Sequence, residues 1–394
     1  MLIRTLSHRV MLATVALAAT AVIANAQSSD GVTADSVKIG LLVPITGSSG
    51  PVGLGMAVGA EAYFADINAK GGIHGRKIVT VREDEACTAE AGIAGARKLI
   101  AQEKVFAIGL GGCSNSVLAY RDIVKEAKVP MVVTGASHND ITKEPNCCIF
   151  RTSLTAANEG RLQVDFAVSI PNAKKIAIVA QKDAWGLAKY SGAIERMKEL
   201  GITPVADEEL PPTQTDATAQ VLRLAQLNPD VIVTVLFPQP TVVFLRAAHQ
   251  YGLTKKPIIL QTSINDLVDL DQKVGVPGAL VNTYTVTFTK DPNGPEMGKW
   301  KDLLKKAHAT AELGPYPMWG IVGAEVLVEG LKQAGKELTR EKFIAAVEKI
   351  QGMQSDMAFG PLNFSATARN GNTTGMFQKL KDGKMADVGT TWKP

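Results

Sequence analysis

Short apolar runs alternate with longer amphipathic stretches along almost the whole chain. Val37–Pro44 is an apolar run that ends in Thr46-Gly47-Ser48-Ser49-Gly50-Pro51, which predicts a strand feeding a glycine-rich loop. Gly55–Asn68 carries Ala57, Ala60, Tyr63, Phe64 and Ile67 at helical spacing, and Gly71-Gly72 ends it. Strands are predicted next at Lys77–Val81, Val105–Gly109 and Val129–Thr134, with helices at Ala89–Glu103 and Ser116–Glu126 between them. After Phe150-Arg151-Thr152 the alternation restarts. Strands follow at Lys175–Ala180, Thr203–Glu208, Val231–Leu236 and Pro257–Leu260, with helices at Tyr190–Leu200, Thr215–Leu227 and Thr241–Gln250. A strand at Leu280–Val286 precedes helices at Pro295–His308, Trp319–Ala334 and Arg340–Ile350. Gly360-Pro361-Leu362 breaks the pattern, and a last strand near Met376–Leu380 runs into the turn Lys381-Asp382-Gly383-Lys384. Strict alternation of strand and helix means parallel strands with helical crossovers, so the fold class is α/β. Two such units in series predict two doubly wound parallel-sheet lobes facing a cleft.

The first 26 residues read as an address rather than as part of that fold. Arg4 and Arg9 give a basic start, Val10–Ile23 is apolar, and Ala24-Asn25-Ala26 fits a small-residue cleavage site. A signal peptide over residues 1–26 directs the chain out of the cytoplasm, most simply to a bacterial periplasm. No Cys follows the cleavage site, so lipid attachment there has no support. The chain has 394 residues with formal net charge +4, which falls to +2 once the two Arg of the signal segment are removed. That balance is too mild for a nucleic-acid footprint. Such a compartment permits disulfides. The four Cys allow three pairings. Cys87 and Cys113 each follow a predicted strand, which favours that pair, whereas the neighbours Cys147 and Cys148 bridge only with strain or stay free.

Enzyme signatures are thin. No G-x-x-x-x-G-K-[ST], H-E-x-x-H or G-x-S-x-G motif occurs. Gly109-Leu110-Gly111-Gly112 follows a strand, but Ser114 stands where a dinucleotide fingerprint needs its last Gly. His74, His249 and His308 are scattered without metal-ligand spacing, and Ser137-His138 are sequence neighbours, a poor arrangement for a nucleophile and its base. No catalytic residue, metal or cofactor is therefore expected. What recurs is a hydroxyl- or glycine-rich loop between strand and helix: Thr46–Gly53, Cys113-Ser114-Asn115-Ser116 and Thr134-Gly135-Ala136-Ser137. In a doubly wound sheet these loops lie at the carboxyl ends of strands, where ligands bind. Their N–H groups and hydroxyls suit a small anion, although any one of them serves equally well as a plain helix cap.

Val37-Lys38-Ile39-Gly40, Thr46-Gly47 and the block Tyr63–Ile73 with Asn68-Ala69-Lys70-Gly71-Gly72-Ile73-His74-Gly75-Arg76 resemble the start of the leucine/isoleucine/valine-binding proteins, type I periplasmic solute-binding proteins of ABC transporters. Glu85-Ala86-Cys87 followed by Cys113-Ser114 resembles that family's disulfide and first binding loop, Phe150-Arg151-Thr152 its first interdomain crossing and Gly360-Pro361-Leu362 its last. The resemblance implies two lobes joined by three crossings. Lobe 1 is expected over 36–155 plus 285–357 and lobe 2 over 156–284 plus 358–394. It also implies a monomer that closes on a small molecule and presents it to membrane permease subunits. Ser114, Gly135 and Ser137 fall where the family holds a ligand carboxylate, and Trp185 and Phe237 where aromatic groups enclose it. Val52 sits where a bulkier side chain is common.

The family's amino-acid binders hold the ligand ammonium with two acids, and those positions here are Ala156 and Thr262, or its neighbour Gln261. Burying an ammonium without a partner costs on the order of 3–5 kcal/mol, against about 8 kcal/mol in a micromolar site. The expected ligand is therefore a hydrophobic or aromatic monocarboxylate. The alternative is a branched-chain amino acid binder in which Asp140, Glu159, Asp183 or Asp266 restores the ammonium contact. Two further readings are a sensory receptor lobe and an extracytoplasmic hydrolase using Ser137 or Ser114.

Overall fold

A computed structural model describes residues 29–47 and 49–393. The predicted signal peptide, residues 1–26, lies outside the described residues. The first unit runs β1 (Ser36–Val43), α1 (Gly50–Ala69), β2 (Lys77–Asp84), α2 (Ala89–Arg97), β3 (Ala107–Leu110), α3 (Ser114–Glu126), β4 (Met131–Val133) and β5 (Ile149–Arg151). Its five strands pair in the order β2-β1-β3-β4-β5, all parallel. Residues of β3 and β4 are buried throughout, as expected of strands covered on both faces. Ile39, Leu41 and Val43 join one core cluster while Leu42, Ile108 and Val133 join another beneath α2 and α3. The predicted helix Ala89–Glu103 is in fact α2 followed by a five-residue π-helical segment, Lys98–Gln102, that buries Leu99.

The second unit runs α4 (Ala156–Ser169), β6 (Ile176–Ala180), α5 (Ala184–Glu199), β7 (Ala206–Glu209), α6 (Thr218–Leu227), β8 (Val231–Val235), α7 (Pro238–Gln250), β9 (Ile258–Leu260), α8 (Leu267–Val274) and β10 (Thr283–Thr287). The chain then forms α9 (Gly298–Ala307), α10 (Pro315–Ala334) and α11 (Arg340–Val347), and ends in β11 (Gly375–Lys381) and β12 (Lys384–Trp392). The second sheet is ordered β12-β11-β10-β9-β8-β6-β7. Strands β6 to β10 are parallel, whereas β11 runs antiparallel to β10 and forms an antiparallel hairpin with β12. The turn of that hairpin, Asp382-Gly383, has φ of 52° and 72°, the left-handed pair that a two-residue hairpin loop requires.

α10 returns to the first lobe and is buried almost all round, the signature of a core helix rather than an amphipathic one. It crosses α1 with the backbones in contact: a Cβ at Gly320 would lie 1.9 Å from the Met56 carbonyl oxygen. Chain crossings follow β5 and β10 and precede β11. β10 stays in the second sheet to Thr287, past the expected boundary at 285. Residues 363–371 remain beside β5, where Arg151 N–H donates to Arg369 O and Gly371 N–H to Arg151 O, each at 2.8 Å. The last crossing is therefore near Asn372–Thr374 rather than at 358. Four elements were not anticipated from the pattern: β5, α4, α8 and β12. α5 begins six residues before the predicted Tyr190, because Asp183 caps it by accepting from Gly186 N–H at 2.8 Å.

Candidate functional site

Both sheets share one winding. The order 2-1-3-4-5 in the first lobe is repeated as 7-6-8-9-10 in the second. Such sheets reverse direction between two neighbouring strands, and ligands bind at the carboxyl ends there. In the first lobe the reversal lies between β1 and β3, flanked by the Thr46 and Ser114 loops. In the second it lies between β6 and β8, after which come Trp185 and Phe237.

The first-lobe loops are held together by buried polar groups. Asp84, at the end of β2, accepts from Ile45 N–H (2.8 Å), Thr46 Oγ (2.6 Å) and Ala86 N–H (2.8 Å). Glu85, fully buried, accepts from Cys113 N–H at 2.6 Å and from the Tyr120 hydroxyl at 3.3 Å. Burial pushes its carboxyl up to about 8, against those hydrogen bonds. Cys87 and Cys113 are paired across the same two loops, with Cα atoms 5.2 Å apart. The adjacent Cys147 and Cys148 are paired as well.

Ser114 opens α3, so its hydroxyl stands at a helix N-terminus whose first N–H groups have no intrahelical partner. Its Oγ accepts from Ser137 N–H (3.1 Å) and His138 N–H (3.2 Å), leaving its own proton to donate. Ser137 Oγ is buried and has no hydrogen-bond partner. Gly135 has a different task from the one expected. Its N–H is turned to Leu110 O at 3.3 Å, and a Cβ there would sit 2.6 Å from Gly112 O, so it allows the β3 and β4 loops to touch. His138 Nδ1 accepts from Asp140 N–H at 3.2 Å, so Ser137 and His138 are not bonded as nucleophile and base. Val52, on the first turn of α1, is half-buried against the core.

The second lobe brings two aromatic rings together beside β6 and β8, with Trp185 buried and Phe237 half-buried. Trp185 and Phe237 lie with ring centroids 4.4 Å apart at 32°. The Lys189 ammonium sits 4.8 Å from the centre of the Trp185 ring and is itself ion-paired with Glu159. Glu159 also accepts from Thr262 N–H (2.6 Å) and Thr262 Oγ (2.8 Å). All three residues are buried. Thr262 is therefore committed inward. Gln261 is too: its amide donates to Leu236 O at 2.7 Å and accepts from Ser263 N–H at 2.7 Å, which ties two loops together. Ala156 is buried, and its N–H bonds Ser137 O at 2.7 Å, docking α4 onto the first lobe.

Behind this cluster Arg151 is wholly buried, donating to His138 O at 2.6 Å and Asn370 Oδ1 at 3.2 Å with no carboxylate partner. Burial brings its guanidinium down to about 9, still charged at neutral pH. Burial lowers the pKa of Lys189, Glu159 opposes the shift, and the charge of Arg151 adds to it. Arg151, Lys189 and Glu159 together leave one positive charge under the cleft.

Sequence patterning overlooked Lys189, Asn265, Tyr316 and Trp319. Asn265, in the β9–α8 loop, has both amide atoms buried without partners, as does the Trp319 indole N–H. Tyr316, at the start of α10, reaches across to Ser263 O at 3.2 Å. Only Lys189 had a local signal: it stands four residues after Trp185, on the same helix face. Among the described residues no group of His, Cys, Asp and Glu is placed to hold a metal ion, and no helix is long and apolar enough to cross a membrane.

Known proteins share this fold. The chain is 27% identical over 368 residues to Leu/Ile/Val-binding protein homolog 8 of Brucella abortus, covering 89% of this chain and 90% of that one. Its fold superposes with TM-score 0.78 on an ABC-transporter solute-binding protein of R. palustris in complex with 4-hydroxybenzoate, at 24% identity and covering 91% and 97% of the two chains. A branched-chain amino acid ABC transporter protein of Thermus thermophilus with bound valine gives TM-score 0.81 at 18% identity, covering 91% and 97%. The fold has two doubly wound lobes joined by three crossings, and residues 36–384 match the periplasmic binding protein family, so the chain belongs to that extracytoplasmic family.

Proposed function

We propose that this protein captures a small hydrophobic or aromatic monocarboxylate between its lobes and delivers it to the permease of an ABC importer. The observation that carries the reading is the uncompensated positive charge of Arg151 behind the Ser114 and Ser137 hydroxyls, opposite the Trp185–Phe237 pair. A carboxylate gains charge-assisted hydrogen bonds from the first lobe, and a flat or apolar body packs on the rings of the second. Only a ligand that touches both lobes favours the closed form over the open one. The complex of the R. palustris protein with 4-hydroxybenzoate supports this reading. The protein acts as a monomer in the periplasm, with residues 1–26 as its signal peptide. It needs no cofactor, binds no nucleic acid and leaves its ligand chemically unchanged.

A branched-chain amino acid is the second reading, favoured by the Brucella relative and the valine-bound Thermus protein. It requires an acid for the ammonium. Asp183 is engaged in capping α5, and Asp266 in capping α8. A thermal-shift series on the mature protein decides between the readings, with benzoate, 4-hydroxybenzoate, cinnamate, hexanoate, leucine and valine. A ligand at a hundred times its Kd stabilises the folded state by about 2.7 kcal/mol. An aromatic or aliphatic acid is expected to give the largest shift. If leucine or valine does, the monocarboxylate assignment fails.

A further inference from the structure

Among the described residues Glu159 is the only buried carboxylate of the second lobe, and three donors already meet it. They come from Lys189 Nζ, Thr262 N–H and Thr262 Oγ. The cluster joins the first turn of α4 (Glu159), α5 (Lys189) and the β9–α8 loop (Thr262), each of which follows the carboxyl end of a strand. It lies directly under the binding surface, since the Lys189 ammonium is 4.8 Å from the Trp185 ring centre and α4 is docked on Ser137 O. Every group an incoming ammonium needs, a buried carboxylate beside an aromatic face, is therefore present and occupied by an ammonium of the protein's own.

We propose that Lys189 is a built-in counter-ion that fills the cation subsite of the cleft, and so restricts the protein to carboxylates that carry no α-ammonium. The inference rests on the reading of the cleft as a carboxylate site, and it assigns specificity within that site to one side chain. Lys189 does not select by touching the ligand carboxylate. It selects by leaving Glu159 with no capacity for a second cation, and by adding its charge to that of Arg151. An amino acid entering the cleft must then bury its ammonium without a partner, whereas the same molecule lacking the amine does not.

The experiment compares two matched pairs that differ only in that amine: phenylalanine with 3-phenylpropionate, and leucine with 4-methylpentanoate. Titration calorimetry is run on the mature wild-type protein and on Lys189→Met, Lys189→Gln and Lys189→Arg. The wild type is expected to prefer the amine-free member of at least one pair by a hundredfold or more. Lys189→Met frees Glu159 and is expected to cut that preference at least tenfold, chiefly by binding the amino acid more tightly. Lys189→Gln is carried alongside in case the Met variant does not fold, and its preference is expected to fall in the same direction. Lys189→Arg, which keeps the charge, should keep the preference. A wild-type ratio near one overturns the proposal without recourse to any variant, as does an unchanged ratio in a folded Met or Gln variant. Failure of the underlying reading looks different: the wild type then binds neither member of either pair, nor any of the carboxylates in the thermal-shift series.

Discussion

Replacing Cys87 and Cys113 by Ser tests how the first binding loop is held. The pair closes a loop of 26 residues. In the chain-entropy description, with n set to that separation, the lost constraint on the unfolded chain amounts to about 3.5 kcal/mol at 25 °C. The native loop should survive the change, because Glu85 still accepts from Cys113 N–H and Asp84 still holds Ile45 and Ala86. The destabilisation therefore belongs to the unfolded state, and the denaturant midpoint should fall. Urea unfolding followed by tryptophan fluorescence is the assay. With a slope of roughly 2–3 kcal/mol/M, the midpoint should drop by more than about 1 M. The second pair supplies the control: Cys147 and Cys148 are sequence neighbours and close no loop of consequence, so Cys147→Ser with Cys148→Ser should leave the midpoint nearly unchanged. The reasoning is refuted if the two double variants lose the same stability. It is equally refuted if thiol titration of protein purified without reductant finds Cys87 and Cys113 free.

The remaining predictions concern the cleft, titration and packing. Ser137→Ala removes a buried hydroxyl that has no partner; if the proposed carboxylate site is right, binding should weaken by about 1.5–3 kcal/mol, with the ligand's amide analogue insensitive to the change, and equal losses for acid and amide in calorimetry would count against the anion site. Trp185→Ala should reduce affinity for aromatic acids by about 0.5–1.5 kcal/mol more than for aliphatic acids, as the ring packs on Phe237 at 4.4 Å; a uniform loss across both classes would contradict it. Burial pushes Glu85 up to about 8 and Glu325 to about 7, so between their unfolded values near ~4.3 and those folded values the native state holds the extra protons. Stability should then decline as pH rises above 5, until about pH 7 for Glu325 and about pH 8 for Glu85, by at most about 1.4 kcal/mol per pH unit for each group; Glu85→Gln should flatten that slope in urea titrations, and a rising slope would disprove the assignment. Gly320→Ala places a methyl 1.9 Å from Met56 O at the α1–α10 crossing and should destabilise by roughly 1–3 kcal/mol, visible as a lower Tm by calorimetry; a neutral result would mean that the helices can separate freely.

The amino-acid sequence by itself determined the class of fold and the identity of the loops. Periodicity of two and 3.6 is a local property, so the strand–helix alternation, the restart after Phe150-Arg151-Thr152 and the Ser114 and Ser137 loops were legible before any packing was known. Elements with weak or interrupted periodicity were not. α4 buries Glu159 and Gln163 as well as apolar side chains, and α8 is only eight residues long. The tertiary structure alone decided what the polar residues of the cleft do. Glu159 meets Lys189 from 30 residues away and Thr262 from 103, while Gln261 donates to the Leu236 carbonyl. A buried charge takes its meaning from whatever fills its hydrogen-bonding capacity, and that partner is set by the crossing of strands and helices distant in sequence. The residue types are thus written in one dimension, but the pairing of Lys189 with Glu159 exists only once the second lobe has folded.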